Sequence, residues 1–332
     1  MKKLNELLVT GGLLRPGGFD LGPGKYYGCA SLIKLNTDTG EVNSLIKIEQ
    51  GNKNYPPEYP NLQFTAGCID GDVLWLPTDT EIRKYSLNNY ELLSIYSHPC
   101  FQNIHSVAAR EDKLYVTSTG LDQVVVLAKD SGDIVTQINA ESKPLWHRFS
   151  ETIDYRQWHS TRPHDCHPNY IFWLDHEPWV TRCTQEDAVC LSDNGKRIDI
   201  SGPNKKISVH DGIVIENRVY FTSVDGCIVV ADTATCQVIE TIDLTSLPNY
   251  GGVRGWCRGL CYVNGIFYVG FSRLRRTKSI EKLDWLQRVK SKVKRNNTSS
   301  VLGIDLKSKR IVSDYTIPEN ALDAIYTILP LE

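Results

Sequence analysis

Long hydrophobic runs are absent from this chain of 332 residues, although 41% of its residues are apolar. Its apolar stretches are no longer than a β-strand, whereas a membrane-spanning helix needs about 20 consecutive apolar residues. The first residues, MKKLNELLVTGG, place Asn5 and Glu6 inside a short mixed stretch that is too polar for the apolar part of a secretory signal. We therefore expect a cytoplasmic protein that does not span a membrane.

Motifs that would identify a nucleotide cofactor or an activated serine are also missing. Gly24-Lys25 has no glycine five places earlier and no Ser or Thr after the lysine, so the glycine-rich segment 11–28 is not a phosphate-binding P-loop. The chain has neither G-x-S-x-G nor a dinucleotide-binding fingerprint, and its repeats do not end in Trp-Asp. We expect no nucleotide cofactor.

Cysteine is plentiful, but no two cysteines form a C-x-x-C pair. The ten cysteines are scattered, mostly among apolar β-forming residues. Buried free thiols in a reducing compartment are the expected state, and a set of disulfides or a zinc-thiolate site is the alternative.

No Pro-, Ser- or Gly-rich linker divides the chain, so residues 1–332 are predicted to form a single domain. Turn pairs such as Asp70-Gly71 and Asn264-Gly265 separate runs of β-branched and aromatic residues. This pattern is typical of an all-β protein.

A repeat of about forty residues makes the predicted fold more specific. In four segments a small or polar residue stands ten positions before an aromatic residue, and a fifth, from His167 to Trp179, fits if two residues are inserted. The four pairs are Thr65 with Trp75, His105 with Tyr115, His210 with Tyr220, and Arg258 with Tyr268. Each segment continues through a turn into another apolar strand. This predicts a β-propeller whose blades supply their innermost strands to a central channel.

Six blades account for the repeat. Five lie near residues 62–98, 103–140, 165–200, 207–243 and 255–318. The sixth is predicted to take its inner strand from 321–330 and its other strands from 7–11, 30–36 and 42–48. N- and C-terminal strands would then close the last blade and leave no exposed edge.

One insertion, residues 141–163, leads directly to the inner strand of blade three. It contains the dipeptides Trp146-His147 and Trp158-His159. Loops of this length in compact domains are usually functional or disordered, and tryptophans argue against disorder. We predict a lid over one mouth of the channel.

A second insertion is basic. Residues 273–295 contain ten Lys or Arg residues against Glu281 and Asp284, although the whole chain carries a formal charge of −2. Within it, residues 278–295 are predicted to form a helical insertion in blade five, because apolar side chains recur at helical spacing. The helix would be a solvated surface element, or would dock on an anionic membrane surface or an acidic protein partner. Nucleic acid is not expected as a partner, because no aromatic interleaving or known binding module accompanies the charge.

The polar positions of the repeat carry the candidate chemistry. If the blades align, His105, His167 and His210 converge from neighbouring strands, and three neutral imidazoles suit a divalent transition metal such as Zn, Fe, Mn or Cu. Arg258 is the predicted anion clamp, because its planar fork matches a carboxylate, sulfate or phosphate. Two alternatives stay open: metal-free binding of an anion by the same residues, and histidines that bond only to backbone or water.

The functional hypothesis is a metal-dependent lyase or hydrolase that acts on a small anionic or peptide-derived substrate in the axial channel. The competing hypothesis is a non-catalytic propeller that binds an anionic ligand, a membrane surface or a protein partner. The predicted catalytic residues are His210, Arg258 and Asp211. The predicted substrate contacts are Arg258, His164, Asn169, Thr65 and Trp158.

Part of blade five resembles an uncharacterised bacterial six-bladed β-propeller family. Its corresponding block reads R-G-L, about eight further residues, then V-G-x-S-x-x-R, which Arg258-Gly259-Leu260, Val269-Gly270, Ser272 and Arg275 match. His167-Pro168-Asn169 is similar to the same family's H-x-N. The likeness covers roughly residues 103 to 275 and implies the propeller and the His/Arg alignment. It implies no particular reaction.

Overall fold

The computed structural model of the protein describes residues 5–193, 195–201, 208–274 and 298–331. Strands dominate these residues, and the helices among them are three one-turn 3-10 segments, Thr119–Leu121, Tyr155–Gln157 and Leu244–Ser246. None of the described helices is long or apolar enough to cross a membrane. The protein is therefore all-β, as predicted.

The strands of the first half are β1 (Glu6–Leu14), β2 (Tyr27–Asn36), β3 (Val42–Ile48), β4 (Cys68–Asp70), β5 (Val73–Pro77), β6 (Ile82–Ser86), β7 (Leu92–Tyr96), β8 (Ile104–Arg110), β9 (Lys113–Ser118), β10 (Gln123–Ala128) and β11 (Ile134–Asn139). Those of the second half are β12 (Pro168–Leu174), β13 (Glu177–Arg182), β14 (Asp187–Cys190), β15 (Arg197–Asp199), β16 (Val209–Ile215), β17 (Arg218–Ser223), β18 (Cys227–Asp232), β19 (Val238–Asp243), β20 (Cys257–Val263), β21 (Ile266–Phe271), β22 (Ser300–Asp305), β23 (Arg310–Thr316) and β24 (Ala324–Pro330).

These strands form six four-stranded antiparallel sheets, the six blades of a β-propeller. Blades one to five are β4–β7, β8–β11, β12–β15, β16–β19 and β20–β23, and each lies within the residues predicted for it. The sixth sheet has the order β24-β1-β2-β3, with β24 antiparallel to β1. Blade six thus combines strands from both ends of the described chain.

Six hydrophobic clusters lie between neighbouring blades. One cluster, for example, joins Phe172 of blade three to Phe221 of blade four, and another joins Leu32 of blade six to Leu74 of blade one. The other four clusters occupy the interfaces one/two, two/three, four/five and five/six. Burial of apolar surface between neighbouring sheets, rather than in a single central core, therefore stabilises the ring.

The aromatic residues of the repeat belong to these interfaces. Trp75, Tyr115, Trp179, Tyr220 and Tyr268 each pack in a different cluster, always between their own blade and the next. A large ring at this position covers the sheet of the following blade. The repeated aromatic residue is thus explained by blade-to-blade packing.

All ten cysteines are free thiols, as predicted, and six of them are buried. The predicted helix at 278–295 lies outside the described residues. The insertion 141–163 contains no strand. Its Tyr155 is buried in the cluster between blades one and two, where Trp146 and Phe149 pack against it.

Candidate functional site

Blades one to five share one register between their first two strands. In each, the aromatic residue of the repeat pairs with the residue seven places before it. The position ten places before the aromatic residue is therefore structurally equivalent in all five blades. In blade three this position is Asn169, ten places before Trp179. The two-residue insertion inferred from the sequence is wrong, and His167 lies just before β12.

The polar positions coincide with irregularities in strand pairing. The register shifts next to them in β8, β12, β16 and β20. The same irregularity in β24 falls at Tyr326, because Ile325 pairs with Gly11 while Thr327 pairs with Thr10. A β-bulge re-aims a side chain and is frequent beside functional sites. Each of these bulges lies on the innermost strand of its blade, beside one polar residue: His105, Asn169, His210, Arg258 or Tyr326.

Three histidines and a tyrosine form a continuous row of ring contacts, called here the histidine row: His164, His167, His105 and Tyr326. His164 stacks on His167 with ring centroids 4.8 Å apart, and their Nδ1 atoms are 2.6 Å apart. The His167 and His105 rings meet edge to face at 4.8 Å. Tyr326 meets His105 edge to face at 6.4 Å. The row thus runs from the loop before β12 to the inner strand of blade six.

Arg258 lies at the Tyr326 end of this row. Its guanidinium carbon is 5.0 Å from the Tyr326 ring centroid and 4.9 Å from that of Trp256. The side chain is buried, and its Nε atom has no hydrogen-bond partner. Within the described part of the chain, no carboxylate forms an ion pair with it.

Arg254, four residues earlier, provides a contrast. It is also buried between two aromatic rings, those of Tyr250 and Phe271. Its Nη2, however, contacts the Asp314 carboxylate at 2.6 Å. Arg254 is therefore a paired structural arginine, whereas Arg258 has no ion pair among the described residues.

The histidines around Arg258 are neutral at neutral pH. Burial, followed by the charge of Arg258, lowers the pKa of His105 to about 3 and holds that of His210 well below its ordinary value. Burial likewise lowers the pKa of His164 to about 4, and burial with the nearby His105 lowers that of His167. A neutral imidazole offers one N–H donor and one acceptor nitrogen. His105 Nδ1 already faces the Asn103 carbonyl at 3.0 Å, which leaves its Nε2 for other partners.

Asp211 connects blade four to the bulge that carries Arg258. Its Oδ2 accepts hydrogen bonds from the Gly259 backbone N–H at 3.0 Å and from the Thr222 hydroxyl. Burial raises the pKa of this carboxyl to about 6, although both hydrogen bonds oppose that rise. The sequence predicted a catalytic role for Asp211. Its two hydrogen bonds instead join Thr222 of blade four to Gly259, the residue that follows Arg258, so Asp211 positions the backbone beside Arg258.

Two predicted substrate contacts are buried and incompletely hydrogen-bonded. Asn169 Nδ2 donates to the Val209 carbonyl at 2.8 Å, and its Oδ1 has no partner. The Thr65 hydroxyl also has no partner, although the Thr65 carbonyl accepts a bond from the Thr10 hydroxyl at 2.9 Å. Neither residue is in ring contact or hydrogen-bonded with the histidine row.

Trp158 is not brought to the row either. It is 47% exposed, and its ring lies 5.5 Å from that of Tyr155. Its backbone carbonyl accepts a bond from Gln102 Nε2 at 3.2 Å. The Trp158 backbone is therefore held by the residue two places before β8, while its ring faces solvent.

The predicted metal triad is not assembled among the described residues. No group of three or more His, Cys, Asp or Glu side chains there is arranged to hold a metal ion. His105 Nδ1–H donates to the Asn103 carbonyl, which leaves its lone pair on Nε2, and one of the two facing Nδ1 atoms of His164 and His167 carries the proton between them. His164, His167 and His105 instead contact one another through their rings, and His164 and His167 also through their Nδ1 atoms.

Tyr326 and Trp256 are site residues that the sequence did not identify. The Tyr326 hydroxyl donates to Gln63 Oε1 at 2.6 Å, and Gln63 Nε2 donates to the buried Asp79 at 2.8 Å. This chain of bonds fixes the tyrosine ring beneath Arg258. Trp256 could have been found, because it lies two residues before Arg258, immediately before β20, and an arginine stacks readily on tryptophan.

A separate surface cavity of about 710 Å³ lies between blade six and the loop before blade one. Leu13, Arg15, Cys29 and Pro60 are among the residues that line it, and none of the predicted site residues does. Arg15 Nη2 donates to the carbonyls of Tyr27 and Pro60. This cavity is therefore distinct from the histidine row.

No protein-family model and no curated protein matches the chain in sequence. Solved structures match its fold along nearly the whole length. A protein of unknown function from Bacteroides caccae is similar with a TM-score of 0.61 and 11% identity, covering 99% of this chain and 100% of that one. A chain of a nidogen/laminin complex is similar with a TM-score of 0.55 and 12% identity, covering 98% of each. At these identities the likeness is one of fold alone.

Proposed function

We propose that the protein binds a small organic anion in its axial channel, with Arg258 as the cationic contact and His105 and His210 as neutral hydrogen-bonding groups. One observation carries this proposal. Arg258 is buried, stacked on two rings and without an ion-paired carboxylate among the described residues, whereas the similar Arg254 is paired with Asp314.

The energetics favour a ligand at this position. A buried charge is costly unless it is paired or hydrogen-bonded. Asp211 lies near enough for the Arg258 charge to oppose the rise of its pKa, but its Oδ2 is occupied by Thr222 and Gly259. An incoming carboxylate would satisfy the unpartnered Nε–H of Arg258 in a charge-assisted hydrogen bond.

Neutral histidines suit this task. His105 and His210 are almost completely buried, and their lowered pKa values keep them uncharged. Neither histidine adds charge, and because His105 Nδ1–H donates to the Asn103 carbonyl, its Nε2 can accept a hydrogen bond from a hydroxyl or amine of the ligand body. Among the residues that the structure describes, Arg258 is a buried cation without an ion pair that lies against the rings of Trp256 and Tyr326, a setting that fits a carboxylate attached to a small organic body.

The metal-dependent lyase or hydrolase would need three converging ligands, and the described residues do not supply such a set. Elemental analysis of the purified protein tests this alternative directly. About one equivalent of Zn, Fe, Mn or Cu per chain, lost in a folded His105→Ala variant, would replace the anion-binding proposal with the metal-dependent one.

The proposal itself is tested by isothermal titration calorimetry with sodium acetate, butyrate, succinate, sulfate and phosphate. We expect at least one carboxylate to bind with a stoichiometry near one and to lose its affinity in Arg258→Met. Arg110→Met is the matched control, because Arg110 is an exposed arginine stacked over Trp173 at 5.8 Å. Equal affinity in the parent and Arg258→Met proteins, or no binding of any anion, would overturn the proposal.

A further inference from the structure

Arg258 and His105 come from different blades but contact the same aromatic ring, that of Tyr326. The Arg258 guanidinium carbon lies 5.0 Å from the Tyr326 ring centroid, and the His105 ring meets the Tyr326 ring edge to face at 6.4 Å. His105, Arg258 and Tyr326 are 8%, 7% and 9% exposed, so each of them keeps a small accessible surface. The buried cation and the imidazole thus border one ring.

The His105 imidazole presents a hydrogen-bond acceptor beside this cation. Its Nδ1 lies 3.0 Å from the Asn103 carbonyl, and because a carbonyl can only accept, Nδ1 carries the proton. Nε2 then holds a lone pair, and no hydrogen bond among the residues that the structure describes occupies it. Burial and the charge of Arg258 lower the pKa of His105 to about 3, so this nitrogen stays unprotonated at neutral pH. A ligand that contacts it therefore needs an O–H or N–H donor.

Asn169, at the equivalent position of blade three, is also an acceptor. Its Nδ2 donates to the Val209 carbonyl at 2.8 Å, which fixes the orientation of the amide and leaves the buried Oδ1 without a partner. Two polar positions of the repeat thus present acceptors of fixed polarity, whereas Arg258 presents a cation. A ligand with a carboxylate and no donor would leave these acceptors unsatisfied.

We infer that the ligand of the channel is a short hydroxycarboxylate, whose carboxylate contacts Arg258 and whose hydroxyl donates a hydrogen bond to His105 Nε2. This inference rests on the proposed function and adds the class of ligand. The Tyr326 ring, which both residues contact, lies beside the carbon chain that joins the two groups of the ligand.

The two contacts with Tyr326 limit the length of the ligand. The Arg258 guanidinium carbon and the His105 ring centre are no farther apart than the sum of their distances to the Tyr326 centroid, 5.0 and 6.4 Å. Hydrogen bonds of ordinary length to a carboxylate at one end and a hydroxyl at the other cover roughly 8 Å, so the carboxylate carbon and the hydroxyl oxygen need a separation of about 4 Å at most. A hydroxyl on the second or third carbon of an acid meets this limit.

A hydroxyl suits the position beside His105 better than an ammonium group. An ammonium would add a second positive charge near the buried Arg258 and would need a carboxylate partner. The Oδ2 of Asp211 already accepts hydrogen bonds from the Gly259 N–H and the Thr222 hydroxyl. A hydroxyl donates to the imidazole without adding charge.

Calorimetry with acids of one carbon skeleton tests this inference: butyrate, 2-hydroxybutyrate, 3-hydroxybutyrate and 3-aminobutyrate. We expect at least one hydroxy acid to bind the parent protein roughly three- to tenfold more tightly than butyrate, which is the net effect of one neutral hydrogen bond. 3-Aminobutyrate should bind no more tightly than butyrate. His105→Phe keeps an aromatic ring but lacks the acceptor, so it should remove the preference for the hydroxy acid. His105→Gln, whose amide oxygen can accept a hydrogen bond, should retain part of it.

His98→Phe is the matched control, because His98 also bonds to a backbone carbonyl, that of Gly132 at 2.7 Å, and meets the Phe101 ring edge to face. His98 follows β7, the outermost strand of blade one, so its replacement should leave the preference unchanged.

Three results would overturn the hydroxycarboxylate inference while anion binding at Arg258 stands. They are equal affinities of the parent for butyrate and both hydroxy acids, an unchanged preference in His105→Phe, and tighter binding of 3-aminobutyrate than of either hydroxy acid. No binding of any acid would overturn both the inference and the proposed function.

Discussion

The guanidinium of Arg258 lies over the ring of Tyr326, 5.0 Å from its centroid, although the two residues come from the inner strands of blades five and six. The tyrosine ring supports the arginine from below, and the hydrogen bond from Tyr326 to Gln63 ties that ring to blade one. Three blades therefore fix the direction of one buried positive charge.

Two substitutions of Tyr326 distinguish the contribution of its ring, which contacts Arg258, from that of its hydroxyl, which bonds to Gln63. Tyr326→Leu should weaken anion binding, because a cation–π contact of this kind is worth about 0.5–2 kcal/mol. Tyr326→Phe keeps the ring and should retain most of the affinity while losing about 1 kcal/mol of stability with the hydrogen bond to Gln63. Calorimetry with succinate measures the affinity of both variants, and urea unfolding measures their stability. Equal losses in the two variants would show that the ring does not support Arg258.

Gly259 lies where blades five and six pack closely, so a side chain there should destabilise the fold. Its φ is +77°, and a Cβ there would lie 3.1 Å from the Cα of Thr327 in the neighbouring strand. Gly265→Ala is the matched control, since Gly265 has a φ of +85° but nothing within 4 Å of its Cβ position. We expect about 1–2 kcal/mol lost in Gly265→Ala from backbone strain alone, and a larger loss in Gly259→Ala from overpacking. Equal shifts in urea midpoint would contradict the close packing of blades five and six.

Asp211 tests whether a buried carboxylate beside the site is structural. Asp211→Ala would leave the Gly259 N–H and the Thr222 hydroxyl without their acceptor, at a cost of about 1–3 kcal/mol each. Asp211→Asn keeps an acceptor oxygen and should lose much less. Urea unfolding gives the stabilities. Full stability of Asp211→Ala would mean that the carboxylate does not join the two blades.

The buried histidines predict a loss of stability in mild acid. Their pKa values are lowered in the folded state, so below about pH 6.5 the unfolded chain binds more protons, and the free energy of unfolding falls as pH falls. Asp79 and Asp211 act in the opposite direction, because their folded pKa values are raised to about 6. Four histidines outweigh two carboxyls, which leaves a net uptake of roughly two protons on unfolding near pH 5.5.

Urea unfolding at a series of pH values between 7 and 5 measures this slope. His105→Asn should reduce it by about one proton. A flat profile between pH 7 and 5 would contradict the neutral, buried state of the histidine row.

The blades could be predicted from the sequence because one physical requirement repeats. Each of the five aromatic residues fills the interface with the next blade, so its spacing from the inner strand is the same every time. Turn pairs between short β-forming runs then give the strand limits. Blade six lacks this spacing, because its first two strands come from distant parts of the chain, and the contribution of Tyr326 could not be read from the repeat.

The site was harder to predict than the fold. The sequence identified His105, His210 and Arg258 at equivalent positions, but it placed His167 in blade three by inserting two residues before Trp179, whereas the strand register puts Asn169 at that position. Contacts between His164 and His167 depend on the conformation of the loop before β12, which no periodic pattern describes. The unpaired state of Arg258, in contrast to Arg254, depends on which carboxylates fold beside it.

The resonance of the Arg258 Nε–H group provides the most direct test of the central claim. In a ¹H–¹⁵N spectrum, assigned with Arg258→Lys, addition of succinate should shift this signal and slow its exchange with water, because the buried Nε–H gains an acceptor. The Arg254 Nε–H, which already donates to the Tyr250 carbonyl at 3.2 Å, should not move. Saturable binding of succinate that leaves the Arg258 signal unchanged would contradict the assignment of Arg258 as the anion contact.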